Sequence, residues 1–278
     1  MTKGLILLDL DKTLIGTNFV YTNTGIFDAV KILQADGWTI GLNSDRAIIN
    51  LRKYKELFGL NGPLICELGN IIETDQDSEP RWTQPRLQSL FIKLFKSLVQ
   101  LLRTDYPQVI AIISDNERAQ KILAGARLDT TVLLFLLNSL RQASLAFNAF
   151  YLEAYTLRGF SSAPDLLQEI AAEVTEMFIS IFDCKPICSM DARTYNLCML
   201  HHPDSSKTLG AAALLQNSDY SRVFMVGDTT FDYLEIKGVT HCAVGNASPE
   251  FKQLCQFVAP HTLTSGVIEC LEWINQSS

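Results

Sequence analysis

The 278-residue chain predicts an α/β fold: a parallel sheet with helices on both faces, and a second, smaller α/β domain inserted into it. Three observations carry that expectation. Short apolar runs bounded by polar clusters suit strands covered on both faces. Between residues 4 and 66 these runs alternate with amphipathic helical stretches. The same alternation resumes after His202, beyond a segment with a different rhythm.

Gly4-Leu5-Ile6-Leu7-Leu8 is the first strand, and it stops abruptly at Asp9-Leu10-Asp11-Lys12-Thr13. Phe27 to Ala35 has apolar residues at helical spacing and ends at Asp36-Gly37, a common helix stop. Trp38 to Leu42 is a second strand, ending in Asn43-Ser44-Asp45-Arg46, which leads into a helical stretch through Leu57. Pro63 to Cys66 is a third. Strand, helix, strand, helix, strand is the pattern of right-handed crossovers in a parallel sheet.

Between Glu73 and Arg81 the composition turns acidic and polar around Pro80, which marks a boundary. Beyond it, Leu87 to Leu102 reads as a helix with a broad apolar face, Val109 to Ile113 as a strand, and Ala143 to Leu157 as one or two strands. Pro164 to Ile181 is a long helix, and Pro186 to Met190 with Tyr195 to His201 close the segment as two strands. The opening style then returns with the Ala-rich helix Leu209 to Leu215, the strand Val223 to Val226, the short strand His241 to Val244 and a terminal helix Gly266 to Trp273. Residues 1–73 and 202–278 therefore form one domain, and residues 74–201 the insertion.

Composition removes several function classes. A net charge of -7 argues against a nucleic-acid partner or an anionic-membrane binder, because either normally needs a basic face. Seven cysteines without a paired Cys-x-x-Cys spacing read as reduced thiols of a cytoplasmic protein, and Cys184 with Cys188 as core or loop thiols rather than a zinc site. The first apolar run is cut too early for a signal peptide, and Val132 to Leu137 is too short to span a bilayer.

Four polar sites follow apolar strands or begin helices: Asp9/Asp11/Thr13, Ser44, Lys207 and Asp228/Asp232. In an open α/β sheet, ligands bind beyond the carboxyl ends of the strands. Converging carboxylates repel one another unless a cation joins them, and all-oxygen ligands favour Mg²⁺. The hydroxyls of Thr13 and Ser44 and the ammonium of Lys207 complement a phosphate group. Carboxylates, metal and phosphate donors together point to phosphoryl transfer. Singly, Ser44 would be a helix cap, Lys207 a solvated residue and Asp9 the start of a turn.

The ordered set Asp9-Leu10-Asp11-Lys12-Thr13, Ser44, Lys207 and Gly227-Asp228-Thr229-Thr230-Phe231-Asp232 resembles the haloacid dehalogenase superfamily of phosphatases. Val244-Gly245-Asn246-Ala247-Ser248-Pro249-Glu250 is similar to its Cof-type branch, which includes sugar phosphatases and phosphomannomutases. The resemblance implies a Rossmann-like core and an α/β cap inserted between the Ser and Lys motifs. It implies that Asp9 is the nucleophile that forms an aspartyl phosphate, and that Asp11 is the general acid and base, its carbonyl reaching the metal. Asp9, Asp11, Asp228 and Asp232 would serve the Mg²⁺ site, and Thr13, Ser44 and Lys207 would hold phosphoryl oxygens. Lys12 stands where glycine is commonest in the family, as a cation that either is solvated or touches substrate; Arg46 is a further candidate for substrate contact.

The reading that follows is a Mg²⁺-dependent phosphatase acting on a small phosphorylated metabolite such as a sugar or polyol phosphate. A phosphomutase or phosphotransferase with the same centre is the nearest rival. A binding or regulatory module without turnover is the rival of another class, and retention of Asp11 argues against it. His201 and His202 read as structural or solvated, and Arg118, Arg127 and Arg141 as surface residues or contacts for an anionic substrate.

Overall fold

In a computed structural model of the chain, residues 3–17, 19–106, 109–113, 148–153, 155–161, 163–191, 197–216 and 218–277 are described. Arg118, Arg127, Arg141 and the run Val132 to Leu137 lie outside them. In chain order the elements are β1 (Gly4–Leu8), α1 (Ile26–Ala35), β2 (Trp38–Asn43), α2 (Ile48–Phe58), β3 (Leu64–Cys66), β4 (Ile71–Glu73), β5 (Arg81–Trp82), α3 (Pro85–Asp105) and β6 (Ile110–Ile113). They continue with β7 (Asn148–Leu152), β8 (Thr156–Ser161), α4 (Pro164–Phe182), β9 (Ile187–Asp191), β10 (Leu197–His201), α5 (Lys207–Leu215), β11 (Val223–Gly227), β12 (Val239–Ala243), α6 (Pro249–Leu254), β13 (Phe257–Val258) and α7 (Leu263–Gln276).

The chain divides into two compact units, Met1–Thr83 with Ser205–Ser278, and Gln84–Asp204. The first division falls after Thr83 rather than at the polar stretch from Glu73. The reason is strand pairing: β4 is antiparallel to β3 and β5 to β4, with Ile71 opposite Trp82, so this hairpin completes the first sheet. Local composition marks a loop there, but the edge of an existing sheet supplies partners for even a two-residue strand.

The first unit is built on a sheet of order β13-β12-β11-β1-β2-β3-β4-β5, parallel from β13 to β3. All five residues of β1 are buried. Because side chains alternate along a strand, Leu5 and Leu7 pack with Ile65, Met225 and, from α5, Ala211 and Leu214, whereas Ile6 and Leu8 face the opposite side. Each fully buried Leu or Ile contributes about 1.5–3 kcal/mol, so burial on both faces holds β1 in the middle of the sheet.

The second unit has a sheet of order β6-β7-β8-β10-β9, in which β6 and β7 are parallel and the remaining pairs antiparallel. The apolar face expected along α3 is core: Phe91, Leu94, Phe95 and Leu98 are buried, and the Phe91 ring meets Phe178 and Phe182 of α4 edge to face, with centroids 5.9 and 4.9 Å apart. Among the described residues no helix is long and apolar enough to cross a membrane.

Candidate active site

The strand order explains where a site must form. From β1 the chain moves outward through β2 to β3, and returns to place β11 on the other flank of β1. The connections therefore leave in opposite directions at the carboxyl ends of β1 and β11, which opens a crevice there. Asp9 follows β1, with its N–H donated to the Val226 carbonyl of β11 at 2.9 Å. Asp228 follows β11.

Lys207 is the first residue of α5, whose N-cap Ser206 accepts the Leu209 N–H at 3.0 Å. A helix N-terminus disfavours a cation. Two carboxylates outweigh that: Lys207 Nζ donates to Asp9 Oδ1 and Asp232 Oδ1, each at 2.5 Å, with all three side chains buried. Burial alone would push this ammonium down, but Asp232 and Asp9 reverse the effect and leave it well above its ordinary value.

Asp232 is oriented from the backbone. Its Oδ2 accepts the N–H groups of Asp228 at 2.8 Å and Thr229 at 3.0 Å, closing a single 3₁₀ turn, Thr230–Asp232. That fold-back needs glycine at position 227, because a Cβ there would lie 2.3 Å from the Asp232 side chain. Phe231, at the turn's outer edge, is 63% exposed.

Carboxylate oxygens of Asp9, Asp228 and Asp232 lie within 4.8 Å of one another and could hold a metal ion; among the described residues no other His, Cys, Asp and Glu group does so. One ammonium against three buried carboxylates leaves the negative charge in excess. Accordingly burial, then Asp232, raise the Asp228 carboxyl to about 6, although Lys207 and Lys12 act against them. Burial likewise raises Asp9 well above the ordinary carboxylate range, with Lys207 opposing and Asp232 and Asp228 reinforcing. A hard, oxygen-ligated divalent cation fits this excess.

Asp11 stands apart from the cluster. Both its oxygens are taken by Arg46, whose Nε and Nη2 donate at 2.6 Å each. The guanidinium also lies over the Phe19 ring at 4.7 Å and near Tyr54 at 5.9 Å, and Tyr54 Oη donates to the Phe19 carbonyl at 3.1 Å. Arg46, expected beside substrate, is thus held on Asp11. The Asp11 carboxylate does not join the group that could hold a metal.

Thr13 and Ser44 are fully buried. Thr13 Oγ1 has no hydrogen-bond partner among the described residues, an uncommon state for a buried hydroxyl in the loop after β1. Ser44 does not cap α2, whose N-cap is Ala47; its Oγ accepts the Arg46 N–H at 3.3 Å within the turn after β2. Lys12 is exposed, with φ 61°, and its carbonyl accepts Asn246 Nδ2 at 2.6 Å.

Two supporting residues carry no sequence-based role. Asn43 Nδ2 donates to the Lys207 carbonyl at 3.3 Å and so ties β2 to the start of α5. Asn246 holds the Lys12 carbonyl through its amide and the Leu263 N–H, at 2.8 Å, through its Oδ1. A polar residue ending an otherwise buried strand was the available signal for Asn43. Elsewhere, His201 Nδ1 lies 3.1 Å from Thr156 Oγ1, and His202 Nε2 lies 3.4 Å from Cys184 Sγ.

A parallel sheet with a carboxylate and lysine centre at its switch point is an arrangement suited to phosphoryl transfer. Residues 6–271 match the family model for haloacid dehalogenase-like hydrolases, and the chain belongs to that family. Among solved structures, a haloacid dehalogenase-like hydrolase from Bacteroides thetaiotaomicron aligns with TM-score 0.65 and 18% identity, over 98% of this chain and 100% of that one. A protein from Thermotoga maritima aligns with TM-score 0.62 and 18% identity, over 98% and 97%. A trehalose-6-phosphate phosphatase related protein aligns with TM-score 0.58 and 13% identity, over 98% and 97%. At these identities the likeness is one of fold. No curated protein sequence matches the chain.

Proposed function

We propose that the chain is a Mg²⁺-dependent phosphatase of small phosphorylated metabolites, a sugar or polyol phosphate among them, working in the cytoplasm. The observation that carries the reading is the Lys207 ammonium bridging Asp9 and Asp232 beside Asp228. Asp9, Asp228 and Asp232, with the Asp11 carbonyl, would hold Mg²⁺. Bound there, the ion would offset the repulsion between the carboxylates and a phosphate dianion and draw charge from its oxygens.

Lys207 holds Asp9 Oδ1, so attack on phosphorus falls to Oδ2, giving an aspartyl phosphate as the bond to the leaving oxygen breaks. With one oxygen freed from Arg46 and protonated, Asp11 gives that proton to the leaving oxygen and then takes one from the water that hydrolyses the aspartyl phosphate. Lys207, Ser44 and Thr13 supply donors to the phosphoryl oxygens. The test is phosphate release from a broad panel of phosphorylated metabolites, with and without Mg²⁺. Release of no phosphate from any of them rejects the hydrolase, and a product with a relocated phosphate makes it a mutase.

Protons compete with Mg²⁺ wherever Asp228 is protonated, and its carboxyl is raised to about 6. With the Asp9 carboxyl raised as well, the Mg²⁺ affinity is therefore expected to fall by at least about tenfold per pH unit below roughly pH 6 and less steeply above it. Calorimetric titration across that range checks it; a flat profile contradicts the shift.

Arg46 is expected to act by positioning Asp11. Arg46→Gln should lower kcat by about tenfold to a hundredfold, with KM changed far less, as loss of an aligned proton-transfer group implies. Arg46→Lys should recover little, because an ammonium cannot reproduce the bidentate, ring-stacked geometry. A rise in KM at constant kcat would return Arg46 to the substrate.

A further inference from the structure

Three cations belong to this site, and two are engaged. Lys207 bridges Asp9 and Asp232, and Arg46 clasps Asp11. Lys12, between Asp11 and Thr13 in the same loop, makes no ion pair among the described residues and is exposed. Its backbone is left-handed, at φ 61°, which costs a non-glycine residue roughly 1 kcal/mol. The conformation is pinned on both sides: the Lys12 N–H donates to the Ile15 carbonyl at 2.8 Å, and its own carbonyl accepts Asn246 Nδ2 at 2.6 Å. Glycine would take this conformation without strain. A lysine here sets an exposed cationic side chain on the loop that follows β1, where its own carbonyl is bonded to the loop that follows β12, at the carboxyl ends of both strands.

We propose that Lys12 selects substrates carrying a second anionic group, a carboxylate or a further phosphate, beside the phosphate that Asp9 attacks. The inference rests on the phosphatase reading and narrows its substrate class. In that reading the transferring phosphate has Lys207 and the hydroxyls of Thr13 and Ser44 as its donors, which leaves the exposed Lys12 ammonium for a group outside them. A long, flexible stem suits an anion set at variable distance from the phosphorus.

Phosphonates test the idea without turnover, since the carbon–phosphorus bond offers no leaving oxygen. The probes are propylphosphonate and phosphonopropionate, alike in length, with only the second carrying a carboxylate, titrated calorimetrically against the Mg²⁺-loaded protein. Wild type is expected to bind phosphonopropionate about fivefold tighter, the scale of one accessible ion pair. Lys12→Gly, which relieves the strain and should fold at least as well, and Lys12→Met, which keeps the strain, should both bring the ratio near one; Lys12→Arg should preserve it. A wild-type ratio of one, or a ratio unchanged in both neutral variants, overturns the proposal. If Lys12→Met tightens Mg²⁺ binding with the ratio intact, Lys12 merely offsets the carboxylates, and the proposal falls. Failure of the hydrolase reading shows separately, as absence of phosphate release by wild type on the metabolite panel.

Discussion

Asp9→Asn is expected to reduce kcat by at least about a thousandfold, because the amide cannot attack phosphorus. The fold should not suffer. Burial, with Asp232 and Asp228, holds the Asp9 carboxyl well above the ordinary carboxylate range despite Lys207. A carboxyl raised in the folded state binds a proton more tightly there than in the unfolded chain. Its ionised form therefore subtracts from stability as pH rises through the window between the two values and above it. At neutral pH and without Mg²⁺, the uncharged Asn variant should unfold at a temperature equal to or higher than wild type. With Mg²⁺ added, wild type should gain more than the variant, since the variant lacks one ligand charge. Parallel kinetics and thermal unfolding check both halves, and full activity in Asp9→Asn would remove the nucleophile assignment.

Lys207→Met is expected to have the largest combined effect. Its ammonium is buried and bonded to Asp9 and Asp232. Removing one partner of a buried ion pair costs about 3–5 kcal/mol, because the remaining charges are left uncompensated. The sign with pH follows from the raised lysine value: its contribution is fully present below the unfolded value and disappears only in strongly alkaline solution as pH rises through the folded one. Near pH 7.5 the full loss should therefore be seen in chemical denaturation. Acidification, which protonates the stranded carboxylates, and Mg²⁺, which neutralises them, should each restore part of it. Turnover should vanish in every condition. A variant as stable as wild type at neutral pH without metal would mean that Lys207 does not neutralise the cluster.

These outcomes bear on how the fold arranges charge. The three carboxylates and the lysine come from positions 9, 207, 228 and 232, and a helix N-terminus carries the cation against its own dipole. Only the switch between β1 and β11 puts them within contact distance. The backbone contributes as much as the side chains: the Asp228 and Thr229 N–H groups hold Asp232, and Gly227 gives it room.

The amino-acid sequence by itself marked β1, β2, β3, β11 and β12, their alternation with helices, the presence of an inserted unit and the carboxylates Asp9, Asp228 and Asp232, but it left out β13 and set Asp11 with the cluster. Apolar runs that end abruptly in carboxylates report burial locally, and β1, β2 and β11 appear within a residue of where that pattern sets them. The tertiary structure alone decided that β4 and β5 extend the first sheet past Glu73, that Arg46 clasps Asp11 across 35 positions, and that Asn246 holds Lys12 across 234. Such bonds leave no periodicity in either partner's neighbourhood. They exist because a switch in strand order brings distant segments of the chain together, where polar side chains meet whichever partners are in reach.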